Sequence, residues 1–111
     1  MIDKLKTFLI QNLRRISYRW PERGSALRKA RISRGLYLCN HCKGQFKSKE
    51  INVDHVIPII DPVMGWVNIE IYIERMFCNE DGFQVLCKNC HDVKSEAENS
   101  VRRDVRKNVL K

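Results

Sequence analysis

The sequence predicts a small α+β domain, and three observations carry that prediction. Apolar residues recur at helical spacing near both ends of the chain, and a short middle segment alternates in the manner of a strand. Two Cys-x-x-Cys pairs bracket that middle. At 111 residues the chain makes one domain with a modest core that benefits from a staple. Charged residues at 31% and hydrophobic ones at 43% exclude a disordered chain.

Ile2, Leu5, Leu9, Leu13 and Ile16 recur at helical spacing, with Phe8 widening the stripe, so an amphipathic helix is expected to end before Trp20-Pro21. Its apolar face should pack on the rest of the domain or on a second copy, which makes a homodimer one expectation. Ser25 can cap a second helix over about residues 26–33, closed by Gly35. Leu36-Tyr37-Leu38 leads into the first Cys pair. Ile51-Asn52-Val53-Asp54-His55-Val56 alternates apolar and polar like a half-buried strand, and Pro58 and Asp61-Pro62 end regular pairing. Asn68 is placed to cap a helix carrying Ile69, Tyr72, Ile73, Met76 and Phe77 on one face. Gly82 breaks the chain before a short strand, Phe83 to Leu86. The second Cys pair opens a final helix with Val93, Ala97, Val101, Val105 and Val109 at intervals of four.

The net charge of +8 is placed unevenly. Residues 1–34 hold Lys4, Lys6, Arg14, Arg15, Arg19, Arg23, Arg28, Lys29, Arg31 and Arg34 against Asp3 and Glu22, and the remainder of the chain is neutral. The expected organisation is therefore a basic helical arm (1–34), a core (35–98) and a helical extension (99–111). A basic arm on a neutral module suits a polyanion such as double-stranded DNA, with Arg28, Lys29 and Arg31 as phosphate contacts. Phe8-Leu9-Ile10 is too short for a secretory leader, and no stretch approaches the roughly 20 apolar residues of a membrane span. A soluble, intracellular and cytoplasmic protein is expected.

Five cysteines make an odd number, and four of them fall into two x-x spacings, which favours metal over disulfides. Cys39, Cys42, Cys87 and Cys90 can close a tetrahedral zinc site. Residues 43–86 lie between the pairs, so the metal must join two remote segments across a folded insertion. Binding of zinc contributes ~10–16 kcal/mol in finger peptides, against a net stability of ~5–15 kcal/mol for a typical domain. His41 could replace a thiolate, but four cysteines already close the site and leave it as an exposed knuckle residue. Cys78, beside Phe77, is expected in the core.

Three motifs then converge. They are Tyr37-x-Cys39-x-x-Cys42, Val53-Asp54-His55-Val56-Ile57-Pro58, and Gln84-Val85-Leu86-Cys87-x-x-Cys90-His91-x-x-Lys94. In this combination, over most of residues 20–98, the chain resembles the HNH endonucleases, in particular their small zinc-stapled phage-type members. The resemblance implies a ββα-metal core and hydrolysis of DNA to 3′-hydroxyl and 5′-phosphate ends. It implies that Asp54 and His91 hold a catalytic divalent ion, that His55 is the general base, and that Lys94 touches phosphate. Elementary chemistry agrees: imidazole, with an ordinary pKa of about 6.5, can deprotonate water near neutrality. A carboxylate with an imidazole suits Mg²⁺ or Mn²⁺.

Two features sit uneasily with that pattern. Neighbours on a regular strand point to opposite faces, so the strand must bend, bulge or end for Asp54 and His55 to serve one site. Many family members carry an asparagine at the position of Gly82, and without it a backbone group or another side chain must orient His55. The alternative is a zinc-stabilised DNA-binding or regulatory protein without catalysis.

Overall fold

The computed structural model describes residues 2–110; Met1, Lys111 and the side chains of Ile2, Val109 and Leu110 lie outside the described set. Helix α1 spans Ile2–Ser17 and α2 spans Pro21–Ala30. The start of α2 corrects the expectation of a Ser25-capped helix over 26–33. Pro21 stands in the first turn, where its missing N–H costs nothing and its fixed φ suits the helix. Ser25 lies inside the helix, its hydroxyl accepting from Arg28 Nη2 at 3.0 Å. After Ala30 the chain turns extended and forms β1 (Arg31–Ser33), which pairs antiparallel with β2 (Leu36–Leu38) around Gly35 at φ 73°.

Strand β2 pairs in turn with β3 (Gln45–Lys47), giving a three-stranded antiparallel sheet whose β2–β3 connection is the first Cys pair. A second sheet has two strands, β4 (Ile51–His55) and β5 (Phe83–Cys87), antiparallel with Asp54 opposite Gln84 and His55 opposite Phe83. Between them lie a loop, helix α3 (Ile69–Met76) and a 3₁₀ turn at Glu80–Gly82. As expected, Asn68 caps α3: its Oδ1 accepts from Ile71 N at 2.9 Å. Strand β5 runs directly into α4 (Lys88–Leu110), one continuous helix. The architecture is mixed helix and small sheets.

Helices α2 and α4 both pack on the β4–β5 sheet, which buries Phe83, Val85, Leu86 and Cys87. With Ala26, Cys39, Tyr72 and Met76 these form the buried apolar set, a small core in which two members are knuckle cysteines. Helix α1 packs against α3. Its buried side carries Ser17, with Ile10 and Leu13 half-buried, whereas Leu5, Phe8, Leu9 and Ile16 face outward. The helix thus meets the domain along the edge of its apolar stripe, not along its centre. No helix among the described residues is long and apolar enough to cross a membrane.

Gly82 has a steric reason to be glycine. A Cβ there would sit 2.5 Å from Cys78 Sγ and 2.9 Å from Cys78 Cβ, far inside van der Waals contact. The Gly82 carbonyl also accepts Val56 N–H at 2.9 Å, extending the β4–β5 pairing by one bond. Cys78, expected in the core, is half-buried and outside the buried apolar set, and burial raises its thiol. Gly82→Ala should therefore destabilise the fold by about 1–3 kcal/mol, the usual cost of overpacking. In a Cys78→Ala background the same substitution should cost less, because the sulfur contact is gone while the contact with the residue-78 Cβ stays. Urea unfolding of the four proteins measures the difference, and an equal cost in both backgrounds would remove the sulfur contact as the reason.

Candidate functional site

The first knuckle is shaped by a tight turn after β2. Cys39 N–H donates to the Gly44 carbonyl at 2.9 Å and Lys43 N–H to the Cys39 carbonyl at 3.0 Å, with Lys43 left-handed at φ 63°. The second knuckle needs no turn of its own: Cys87 ends β5 and Cys90 lies in the first turn of α4. Asn40 joins the two. Its N–H donates to the Val85 carbonyl and its Oδ1 accepts Val85 N–H, both at 2.8 Å, so the first knuckle pairs with β5 almost as a strand would.

The four sulfurs of Cys39, Cys42, Cys87 and Cys90 consequently lie within 4.8 Å of one another. A tetrahedral ion with Zn–S bonds of ~2.3 Å would hold its sulfurs about 3.8 Å apart. Cys42 Sγ and Cys87 Sγ stand 3.9 Å apart, and all the cysteines are unbridged. Backbone N–H groups already face the sulfurs, with Cys87 N–H on Cys39 Sγ at 3.4 Å and Cys90 N–H on Cys87 Sγ at 3.5 Å. Burial works to raise the Cys39 thiol, but the N–H groups of Cys87, Cys42 and His41 outweigh it and hold it at about 6. Cys90 is pushed up to about 12, chiefly by its contact with the Cys87 thiol and by burial. Binding of a cation at Cys90 would therefore release a proton. The donor set fits a structural metal such as zinc. His41 is exposed, with Nδ1 3.7 Å from Cys90 Sγ.

Asp54, His55 and His91 line one cleft of about 340 Å³, together with Arg14 and Tyr18 of the α1 end, Arg23 of α2 and Asn52 of β4. Asp54 and His55 are both in register in the β4–β5 ladder, opposite Gln84 and Phe83, and both nevertheless border this cleft. The His55 ring leans on Phe83, centroids 4.7 Å apart, and its Nε2 lies 3.0 Å from the Met76 carbonyl. A carbonyl oxygen only accepts, so Nε2 carries the proton and Nδ1 keeps its lone pair. Burial lowers the His55 pKa, followed by a smaller push the same way from Arg23, while the Met76 contact and Asp54 oppose them. The neutral imidazole is favoured.

Lys94, from the second turn of α4, sets its Nζ 3.0 Å from Asp54 Oδ2 and also pairs with Glu98. Burial works to lower its pKa, but the two carboxylates outweigh that and raise it, so the ammonium is secure. An adjoining cleft of about 270 Å³ includes Asp54, His55, Lys94, Glu98, Arg14 and Arg102. Arg28, Lys29 and Arg31 line neither space. Lys29 is paired with Glu80 at 2.7 Å and lies 3.7 Å from Asp81, while Arg31 Nε reaches the Ser33 carbonyl at 3.3 Å.

Sequence reasoning missed Arg14, Arg23 and the Met76 carbonyl. Arg23 Nη2 donates to the Val53 carbonyl at 2.8 Å and its guanidinium lies over Tyr18 at 4.9 Å, tying α2 to β4 beside the acid. Nothing in the spacing of these residues signals that role, since each comes from a different element.

No family model, curated protein or solved structure matches the chain.

Removal of the metal is expected to unfold the domain, because the buried apolar set is small and two of its members are ligand candidates. Circular dichroism melting with and without a strong chelator, beside Cys87→Ser, measures this. A cooperative, native-like melt of chelated protein would sink the staple argument. Cys78→Ser should leave the bound metal, measured by elemental analysis, unchanged.

Proposed function

We propose that this protein is a metal-dependent endonuclease of the HNH type that hydrolyses phosphodiester bonds of double-stranded DNA. The observation that carries the reading is the shared cleft: Asp54 and His55 at the end of β4 and His91 at the start of α4 meet in one space rimmed by Arg14 and Arg23. Structural zinc and affinity for phosphate need none of the first three residues. The ββα-metal reading of the core draws support from the order β4, β5, α4, with the knuckle ligands Cys87 and Cys90 at the β5–α4 junction.

In this mechanism His55 Nδ1 takes a proton from water, and the oxygen attacks phosphorus. The bond from phosphorus to the 3′ oxygen breaks, and that oxygen takes a proton from solvent water, leaving a 3′-hydroxyl and a 5′-phosphate. Asp54 and His91 would hold Mg²⁺ or Mn²⁺, which supplies Lewis-acid stabilisation of charge on the phosphate and leaving oxygens. The Met76 carbonyl orients His55 in place of the side chain that Gly82 lacks. Arg14 and Arg23 offer guanidinium groups to the phosphate, and Lys94, paired with Asp54 here, would turn its ammonium to a phosphate oxygen if Asp54 held the ion.

A second reading keeps DNA binding and omits catalysis. It is favoured by the Lys94–Asp54 contact, in which an ammonium already neutralises the acid. One experiment separates the two. Supercoiled plasmid is incubated with zinc-loaded protein, with and without Mn²⁺, beside His55→Ala of equal zinc content. Ion-dependent nicking or linearisation is expected, with His55→Ala slower by about 10²–10⁴ and still binding DNA. Undiminished cutting by the variant would remove His55 as the base. Plasmid shifted by both proteins and cut by neither would establish the binding reading. Asp54→Ala should flatten the Mn²⁺ titration of cleavage, and an unchanged titration would remove Asp54 as a ligand.

A further inference from the structure

The loop between β4 and α3 carries a rigid apolar tip. Asp61 Oδ1 accepts the N–H groups of Val63 and Met64, both at 2.8 Å, and the Asp61 carbonyl accepts Gly65 N–H at 2.8 Å. Asp61 and Gly65 form an isolated antiparallel bridge, with Gly65 left-handed at φ 70° and Pro62 restricting the backbone between them. The two N–H groups lower the Asp61 carboxyl, and Arg75 adds to that effect against a small opposing contribution from burial. Yet the turn leaves Val63 61% and Met64 72% exposed. A well-bonded turn that holds two apolar side chains in water, and prevents them from folding back, presents them to something.

Its position says to what. Pro58, Ile59 and Ile60, just before the turn, line the cleft that contains Asp54 and His55. Two cations fasten the loop and a third borders it. Arg102 Nη2 of α4 reaches the Ile60 carbonyl at 3.3 Å, Lys6 Nζ lies 4.2 Å over the Trp66 ring, and Arg75 of α3 lines a small space with Gly65 and Trp66. Asp61 is the sole acid in residues 56–69, and its carboxylate is engaged by the turn. An apolar tip on a loop with cations at both of its ends, continuous with the cleft, complements a polyanion with an apolar interior. Duplex DNA has both.

We propose that Val63 and Met64 form a wedge that enters a base step of duplex DNA beside the phosphate held in the Asp54–His55 cleft, with Lys6, Arg75 and Arg102 on the flanking backbone. The inference rests on the DNA-cleaving reading above and specifies how that substrate is held. Apolar wedges of this kind partly unstack a step and kink the duplex, for a cost of a few kcal/mol that wider contact offsets. The kink would turn the backbone at the step into the cleft.

The test uses the full zinc-loaded chain and a set of short duplexes, each with 2-aminopurine at one position, with no catalytic ion added. Unstacking raises the fluorescence of that base. Wild-type protein is expected to raise it at one step, and the Val63→Ser/Met64→Ser double variant to bind the duplex while losing the rise. With Mn²⁺ the double variant should cut an intact duplex about tenfold more slowly and a duplex mismatched at that step nearly as well as wild type, since the unstacking is then already done. Val63→Leu/Met64→Leu should restore both signals, which separates a wedge from a merely structural loop.

No fluorescence rise with wild-type protein, or a rise kept by the double variant, would overturn the proposal. So would an equal loss on intact and mismatched duplexes. Self-association of wild-type protein, lost in the double variant while duplex fluorescence is unchanged, would assign the tip to a protein contact instead. Cleavage without a rise would sink the wedge alone, and a rise without ion-dependent cleavage would sink the nuclease while the wedge stands.

Discussion

The four-sulfur cluster is the constraint on which the rest of the structure depends. It joins a turn after β2 to the point where β5 becomes α4, two places separated by most of the insertion. With Cys87 at the end of the strand and Cys90 one turn into the helix, the direction of α4 is set relative to β5. That direction carries Lys94 over the strand partner of β5 and onto Asp54, and brings His91 into the cleft that Asp54 lines. The apolar core alone is a weak guarantor of such placement. Its buried members are few, and Cys39 and Cys87 sit in the same cluster as Leu86. Asn40 reinforces the junction from the protein side by pairing with Val85 on both its backbone and side-chain edges.

Much of the fold was legible because it is periodic or chemically punctuated. The helical repeats of α1, α3 and α4, the Asn68 cap, the alternation of β4 and the two Cys pairs all carry their signal within a short window. Strands β1 and β3 did not, because three residues are too few for a period to register. Pro21 misled in a different way. A proline can close the element before it or open the element after it, and its neighbours in sequence do not tell the two roles apart. The buried face of α1 was hidden too: its apolar stripe is broad, and the domain covers the edge at Ile10 and Ser17 while leaving Phe8 outside. Hydrophobic periodicity reports that a face exists, not how much of it a small partner can cover.

The candidate site divides along the same line. Asp54, His55, His91 and the cysteines announce themselves through residue type and spacing. Arg14, Arg23 and the Met76 carbonyl do not, since a cleft wall drawn from separate elements leaves no local pattern and a backbone oxygen has no letter. Gly82 shows the limit most clearly. Its lack of a side chain looked like a missing part, whereas the geometry makes it a packing requirement imposed by Cys78. A side chain at that position would have to displace Cys78, whose carbonyl in turn accepts Trp20 Nε1 at 2.6 Å. The glycine belongs to the fastening of α2 and α3, and the orientation of His55 falls to a different group.

That reassignment also bears on how the imidazole is prepared. The role of base proposed for His55 requires an imidazole that is neutral, offers its lone pair and does not rotate freely. Burial beside Phe83 favours the neutral form, and the Met76 carbonyl places the proton on Nε2. The same hydrogen bond resists a ring flip, because the flipped ring would present Cε1–H to the Met76 carbonyl in place of Nε2–H. The ring and the Asp54 carboxylate, neighbours in the β4 ladder, border one space near the end of the strand. Lys94 completes the balance: its ammonium offsets the charge of Asp54 and Glu98. Because that pairing is held by a flexible side chain and not by backbone, it can be exchanged without disturbing the strand, the helix or the cluster that positions them.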